Sequence, residues 1–99
     1  MVKQLNQASL RIAVIGEFDP ASASHRATNE ALTHAAAHLS VPLEFSWLPS
    51  AALAEYKFAA GLNQFHGLWT APGGAYRSME GVLSAIRWAR EQDWPYFAT

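Results

Sequence analysis

The chain has 99 residues, 51% of them hydrophobic and 15% charged, which is enough for one core and too apolar for disorder. Seven basic and eight acidic residues give a formal charge of -1 and form no basic run, so neither a nucleic-acid interface nor an anionic membrane surface is expected. No apolar stretch nears the ~20 residues of a membrane span, and the absence of cysteine excludes disulfides, thiolate metal sites and a thiol nucleophile within these residues.

The N-terminal MVKQLNQASLRIAVIG lacks a long apolar region with a small-residue cleavage site, so no signal peptide is read and a cytoplasmic location is the expectation. LRIAVIG, residues 10–16, is a near-continuous apolar run ending in glycine, as in a parallel strand buried on both faces. EFDPASAS is rich in turn and cap residues, with Asp19 or Ser24 as the expected helix cap. HRATNEALTHAAAHL then places Ala27, Ala31, Leu32, Ala35 and Leu39 at helical spacing, and Pro42 disfavours helix at Val41. LEFSWL, residues 43–48, alternates Leu43, Phe45 and Trp47 with Glu44 and Ser46, the pattern of a strand near a sheet edge.

PSAALAEYKFAAGLNQF reads as a weaker helix from Ser50, broken at Gly61, and HGLWTAP as a third strand ending at Ala71 or Pro72. GGAYRS is a loop. MEGVLSAIRWAREQD is a strongly amphipathic helix with Val82, Leu83, Ile86 and Ala89 on one stripe. Asp93 and Trp94 close it, Pro95 blocks its continuation, and PYFAT is the fourth strand. Strict β-α alternation predicts an α/β, flavodoxin-like or Rossmann-like three-layer sandwich, with a four-stranded parallel sheet of order 2-1-3-4 and right-handed crossovers. Ligands of such sheets bind beyond the carboxyl ends of the strands, where the loops 16–24 and 71–78 lie.

The most informative loop is APGGAY. Two glycines between a strand and a helix can present bare N–H groups to an oxyanion or a phosphate; a tight turn that merely links the two elements is the alternative. His34 and His38, four apart on the first helix, could share a metal, but no third ligand is evident and Ala35 stands where a zincin helix carries Glu, so a solvated helix face is the better reading. His25 and His66 read as cap or surface residues. GEFDPASAS could cradle a phosphate but lacks G-x-G-x-x-G and a Walker lysine, so it reads as a capping loop. Thr99 has no identifiable activating base. Trp47, Trp69, Trp88 and Trp94 lack an accompanying basic stripe and read as packing residues. No cofactor and no metal is expected.

Set in order, RIAVIGEF, NEALTHAA, APGGAYRSMEGVLSAIRWARE and PYFAT resemble the first half of a class I glutamine amidotransferase domain, in particular the CTP synthase C-terminal glutaminase domain and stand-alone proteins like it. The resemblance takes residues 1–99 as one partial domain. CTP synthases have a loop like P-G-G-F-G-x-R-G and a helix like E-G-K-x-x-A-I-x-x-A-R-E. Here Pro72-Gly73-Gly74, Glu80-Gly81 and Ala85-Ile86…Ala89-Arg90-Glu91 keep the register. Ala75-Tyr76 stands for Phe-Gly and Ser78 for Gly, a departure that fits the stand-alone group.

The resemblance implies hydrolysis of glutamine to glutamate and ammonia in a full-length parent. A cysteine in a C-x-G-x-Q elbow, expected immediately after Thr99, would attack the carboxamide, and a later His-x-Glu pair would activate it. Gly73 and Gly74 would bind oxyanion or substrate, with Gly74 the expected backbone donor. No catalytic side chain falls within the 99 residues, so the chain by itself is expected to be inactive. Some stand-alone members carry selenocysteine at the nucleophile position, which raises the expectation of a UGA codon after Thr99; a designed boundary or proteolysis are the alternatives. Without the rest of the fold, the fourth strand and its neighbours are expected to pair two copies into a homodimer. The competing functional readings are a non-catalytic α/β binding or assembly module and a receiver or flavodoxin-type domain. A receiver would want Asp at the end of the third strand, where Thr70-Ala71-Pro72 stands, and a flavodoxin a Ser/Thr-Gly-rich phosphate loop after the first.

Overall fold

The computed structural model describes residues 9–54, 61–72 and 76–98. Within them, strand β1 (Leu10–Ile15) leads to helix α1 (Ala23–Leu39) and strand β2 (Leu43–Leu48). Two 3-10 turns follow, Ser50–Ala54 and Gly61–Gln64, then strand β3 (Gly67–Thr70), helix α2 (Met79–Gln92) and strand β4 (Tyr96–Ala98). The sheet has the order β2-β1-β3-β4 with every pair parallel, as the alternation predicts. All strand carboxyl ends therefore share one edge.

β1 is central and carries the most buried residues, with Ala13, Val14 and Ile15 fully inaccessible. The strand period of two sends Ala13 and Ile15 to one face, where they join Leu53, Leu62, Phe65, Leu68, Val82, Ala85 and Ala89 in the main core. β2 is an edge strand whose Leu43, Phe45 and Trp47 are partly covered while Glu44 and Ser46 face water. His66 extends the β1–β3 ladder: its N–H donates to Arg11 O at 2.7 Å, and Arg11 N–H donates to its ring Nδ1 at 2.8 Å.

Both helices end in left-handed residues, Ser40 (φ 56°) and Asp93 (φ 58°). In each case the next N–H also turns back onto the last turn: Val41 donates to Ala36 O at 3.0 Å and Trp94 to Ala89 O at 2.8 Å. That pairing satisfies orphan carbonyls and brings the chain sharply into the next strand.

Several expectations need correction. The cap of α1 is Ser22, whose Oγ accepts from His25 N–H at 3.3 Å, not Asp19 or Ser24. Asp19 instead folds its own loop by accepting from Ala21 N–H at 2.9 Å. The inward face of α1 is also rotated from the alanine stripe. Ala27, Ala31, Ala35 and Leu39 are exposed, whereas His25 and Thr28 are buried and Leu32 and Ala36 partly so. Alanine is apolar enough to mark a stripe but too small to gain much by burial, so Trp47 and the His25 ring set the rotation instead. In α2 the buried set is Gly81, Val82, Ala85 and Ala89, and Leu83 is exposed. The expected helix from Ser50 is a 3-10 turn as far as Ala54; residues 55–60 lie outside the described residues.

Candidate functional site

The first residue beyond β1 is Gly16 at φ +156°. An added Cβ there would meet the Ala71 side chain at 3.3 Å, so the strand exit of β1 and the end of β3 run close together. Gly16 N–H donates to Leu48 O, and Ala71 N–H to Ile15 O. Three strand exits are thus gathered within one hydrogen-bonded row.

Glu17 follows, at the carboxyl edge. Its Oε2 accepts from the Ser50 N–H at 2.6 Å and from the Ser50 hydroxyl at 2.8 Å. Its Oε1 accepts from the Arg77 N–H at 3.1 Å. Ser50 is wholly buried, and its Oγ in turn accepts from Ser78 N–H at 2.9 Å. Ser78 then caps α2, its Oγ accepting from Gly81 N–H at 3.0 Å. Glu17, Ser50 and Ser78 form a continuous chain from the end of β1, through the second residue after β2, to the start of α2. Partial burial works against the Glu17 charge, but the Ser50 hydroxyl, the Arg77 and Ser50 amides and the Arg77 guanidinium outweigh it and hold the carboxyl below its usual range.

Across the same loop, the Tyr76 hydroxyl donates to Ala71 O at 2.5 Å, tying together the two flanks of residues 73–75. Burial, with the neighbouring Tyr96 and Glu17, pushes the Tyr76 hydroxyl above its ordinary value, which keeps it a donor. Beside it, Tyr96 OH shares a hydrogen bond with the buried Thr70 hydroxyl. Gly73 and Gly74 themselves lie outside the described residues. What the structure places at the carboxyl edge are their flanks, Pro72 and Tyr76, with Arg77 and Ser78 beyond.

Three amides of the loop after Glu17 are engaged within the chain. Asp19 N–H donates to His25 Nδ1 at 3.0 Å, Ala21 N–H to the Asp19 carboxylate, and Ser22 N–H to Asp19 O at 2.9 Å. A phosphate-cradling reading of GEFDPASAS would need those donors, and they serve the capping loop instead. His25 is a buried packing residue between Phe18 and Trp47, with ring centroids at 6.1 Å and 4.8 Å, not the cap or surface residue that its isolation in the sequence suggests. The Trp47 indole N–H donates to Asn29 Oδ1 at 2.7 Å and fixes α1 over β2. His34 and His38 stand on the exposed side of α1, and no group of three metal-binding side chains occurs among the described residues.

Sequence reasoning found the glycine loop and missed Glu17 and Ser50. The available signal was position: a carboxylate one residue past the glycine that ends the central strand must either face solvent or meet donors from neighbouring strand ends. Ser50, directly after Pro49 at the end of β2, occupies the matching place.

No family model matches the chain. It is 34% identical over 93 residues to a CTP synthase of Nautilia profundicola, a match covering 91% of this chain and 17% of that protein. A CTP synthase of Acidobacterium capsulatum is 33% identical over 86 residues, or 87% of this chain and 16% of that protein. The glutaminase domain of the Trypanosoma brucei enzyme, solved with bound acivicin, superposes with a TM-score of 0.80 at 23% identity, covering 91% of this chain and 36% of that one. The chain thus spans about a sixth of the length of these curated relatives, and the structural likeness extends over nearly all of its own.

Proposed function

We propose, on the premise that the chain is a CTP-synthase-like domain of the glutamine amidotransferase family, that it forms the part of a glutaminase which presents the oxyanion loop, Gly73-Gly74, at the carboxyl edge of the sheet. The supporting observation is the sequence match to CTP synthases across almost the whole chain, together with a strand–loop–helix frame that brings the flanks of that loop to the end of β3.

In the reaction proposed for the parent protein, a thiolate attacks the glutamine carboxamide carbon. Negative charge develops on the carbonyl oxygen, where backbone N–H donors stabilise it. The C–N bond breaks and ammonia leaves with a proton, forming a γ-glutamyl thioester. Water then cleaves the thioester to give glutamate and the free thiol. Because these 99 residues include no cysteine, the polypeptide assayed by itself releases no glutamate from glutamine. The same lack of a thiol favours the second reading, a non-catalytic α/β module that binds or assembles without hydrolysis.

A chimera separates the two. Residues 1–99 replace the matching segment of the Nautilia profundicola CTP synthase, whose own remaining sequence completes the domain. Glutamine-dependent glutamate release from the chimera is the expected result. A folded chimera with no glutaminase activity would favour the non-catalytic module, and glutamate release by the isolated chain would overturn the account of the nucleophile.

A further inference from the structure

The chain has four histidines, and the structure divides them into two pairs. His25 and His66 each commit ring Nδ1 to a backbone amide: His25 accepts from Asp19 N–H at 3.0 Å and His66 from Arg11 N–H at 2.8 Å. Those two rings belong to the scaffold. His34 and His38 are the other pair. Both are exposed and both stand on α1. Neither side chain shares a hydrogen bond, ion pair or ring contact with another of the described residues, so all their ring nitrogens are available.

The helix sets their geometry. α1 runs unbroken over Ala23–Leu39 and is closed by Ser40, whose N–H donates to the Ala36 and Ala37 carbonyls. Residues four apart on such a helix are neighbours on one face, with Cβ atoms about 6 Å apart. Two exposed imidazoles there can each bring a nitrogen to a common ion, at about 2 Å from it. His38 lies in the last turn, where the C-terminal carbonyl dipoles favour a cation. Arg26, two turns before His34, donates to Pro20 O at 2.8 Å, which directs its charge toward the other end of the helix. Glu30, one turn before His34, lines the same shallow depression as His34 and adds negative charge nearby. α1 starts from the carboxyl edge of the sheet and runs back to the amino edge, so this end of it stands away from Glu17 and Ser50.

A closed zinc site would need further protein ligands, and no group of three metal-binding side chains occurs among the described residues. Two imidazoles with water in the remaining positions make a different kind of site, open and exchangeable. Imidazole suits copper, nickel and zinc ions rather than Mg2+ or Ca2+, and for a given ligand set the affinity peaks at Cu2+. We propose that His34 and His38 form a surface bis-imidazole site for a divalent first-row transition ion, with Cu2+ held most tightly. The site is independent of the glutaminase reading. Because the folded helix holds the two rings side by side and the unfolded chain does not, a bound ion stabilises the fold.

The test is a calorimetric titration of the 99-residue chain with CuCl2, ZnCl2 and MgCl2. The expected result is saturable binding of a single Cu2+, weaker binding of Zn2+ and none of Mg2+. In NMR spectra, Zn2+ moves the imidazole 15N resonances of His34 and His38 and leaves those of His25 and His66 in place. His38→Ala, on an exposed helix face where alanine is favourable, weakens Cu2+ binding by about a hundredfold, the low end of what a second tethered contact adds. His38→Ala/Leu39→His keeps the number of histidines but sets the second ring about 140° around the helix from His34, and weakens binding to the same degree. Cu2+ raises the melting temperature of the wild type and of neither variant. Absence of saturable Cu2+ binding, wild-type affinity in either variant, or Zn2+ shifts at His25 or His66 instead of His34 and His38 would overturn the inference.

Discussion

Gly81 gives the sharpest test of how α2 meets the rest of the chain. In a helix interior alanine is ordinarily better than glycine by about 1 kcal/mol. The structure reverses that sign. A Cβ at residue 81 would lie 1.7 Å from Ser50 O and 2.7 Å from Ser50 C, both backbone atoms. Real Cβ atoms essentially never approach within 3.0 Å, so the helix and the 3-10 turn must part by more than an ångström. Overpacking of this kind typically costs about 1–3 kcal/mol. Here the moving part is Ser50, which is wholly buried and holds Glu17 and Ser78, and a hydrogen bond to a charged group contributes about 1.5–3 kcal/mol. After the propensity gain, Gly81→Ala is expected to destabilise by about 2–4 kcal/mol. For a domain of this size that corresponds to a Tm loss of roughly 10–25 °C. Gly61→Ala is the control: among the described residues its added Cβ would meet the Gln64 amide alone, at an ordinary 3.7 Å. Circular-dichroism melts of the wild type and both variants decide it. A Gly81→Ala chain melting at or above the wild type would refute the close approach of α2 to Ser50.

Ser78→Ala removes the cap that accepts from Gly81 N–H and is expected to cost about 1 kcal/mol, readable in the same melts. The lowered carboxyl of Glu17 sets an acid limb of stability. Its contribution is fully present above the unfolded-state glutamate pKa and is lost as pH falls through the lower folded value. Urea midpoints measured down that range should decline for the wild type and flatten over that window in Glu17→Gln; parallel curves would show that other carboxylates carry the acid limb. Glutamine incubated with the pure 99-residue chain should give glutamate at the blank rate, checked by a coupled glutamate assay. The chain is also expected to form a homodimer through the β4 side of the sheet. There Phe97 is 56% exposed and meets Trp69 edge-to-face at 5.5 Å, and β4 offers an open edge. Sedimentation equilibrium at micromolar concentration checks this, and a strictly monomeric mass would rule it out.

The sheet order was legible because each strand carries its own signal and the connections are short. LRIAVI is apolar but for Arg11, which puts it at the centre, and LEFSWL alternates, which puts it at an edge. The handedness of the crossovers then leaves little freedom for the remaining strands. The face that α1 turns inward was not legible. Its alanines repeat at helical spacing, yet a methyl group contributes little burial energy, so the helix turns instead toward His25 packing against Trp47 and the Trp47–Asn29 hydrogen bond. Leu83 misled for a related reason. α2 is pressed against the Ser50 turn at Gly81, and that contact fixes which stripe faces inward before Leu83 can compete.

Gly81 also shows why the most familiar part of the sequence was only half understood. Glu80-Gly81 keeps the family register, but the register gives no reason for glycine in a helix that would otherwise prefer alanine. The reason is the carbonyl of Ser50, in the turn after β2, pressed against the helix where a side chain would begin. The same residue that demands glycine at 81 also receives Glu17 and supplies the acceptor for Ser78 N–H. Its burial, the close helix approach and the carboxylate clamp therefore form one arrangement, and none of the three residues could be read from its own neighbourhood in the sequence. A side chain at 81 would push Ser50 away from Glu17, and loss of the Glu17 charge would remove what Ser50 and Arg77 are held to. The two perturbations should accordingly be non-additive: in the double variant Gly81→Ala/Glu17→Gln, the second substitution should cost less than it does alone.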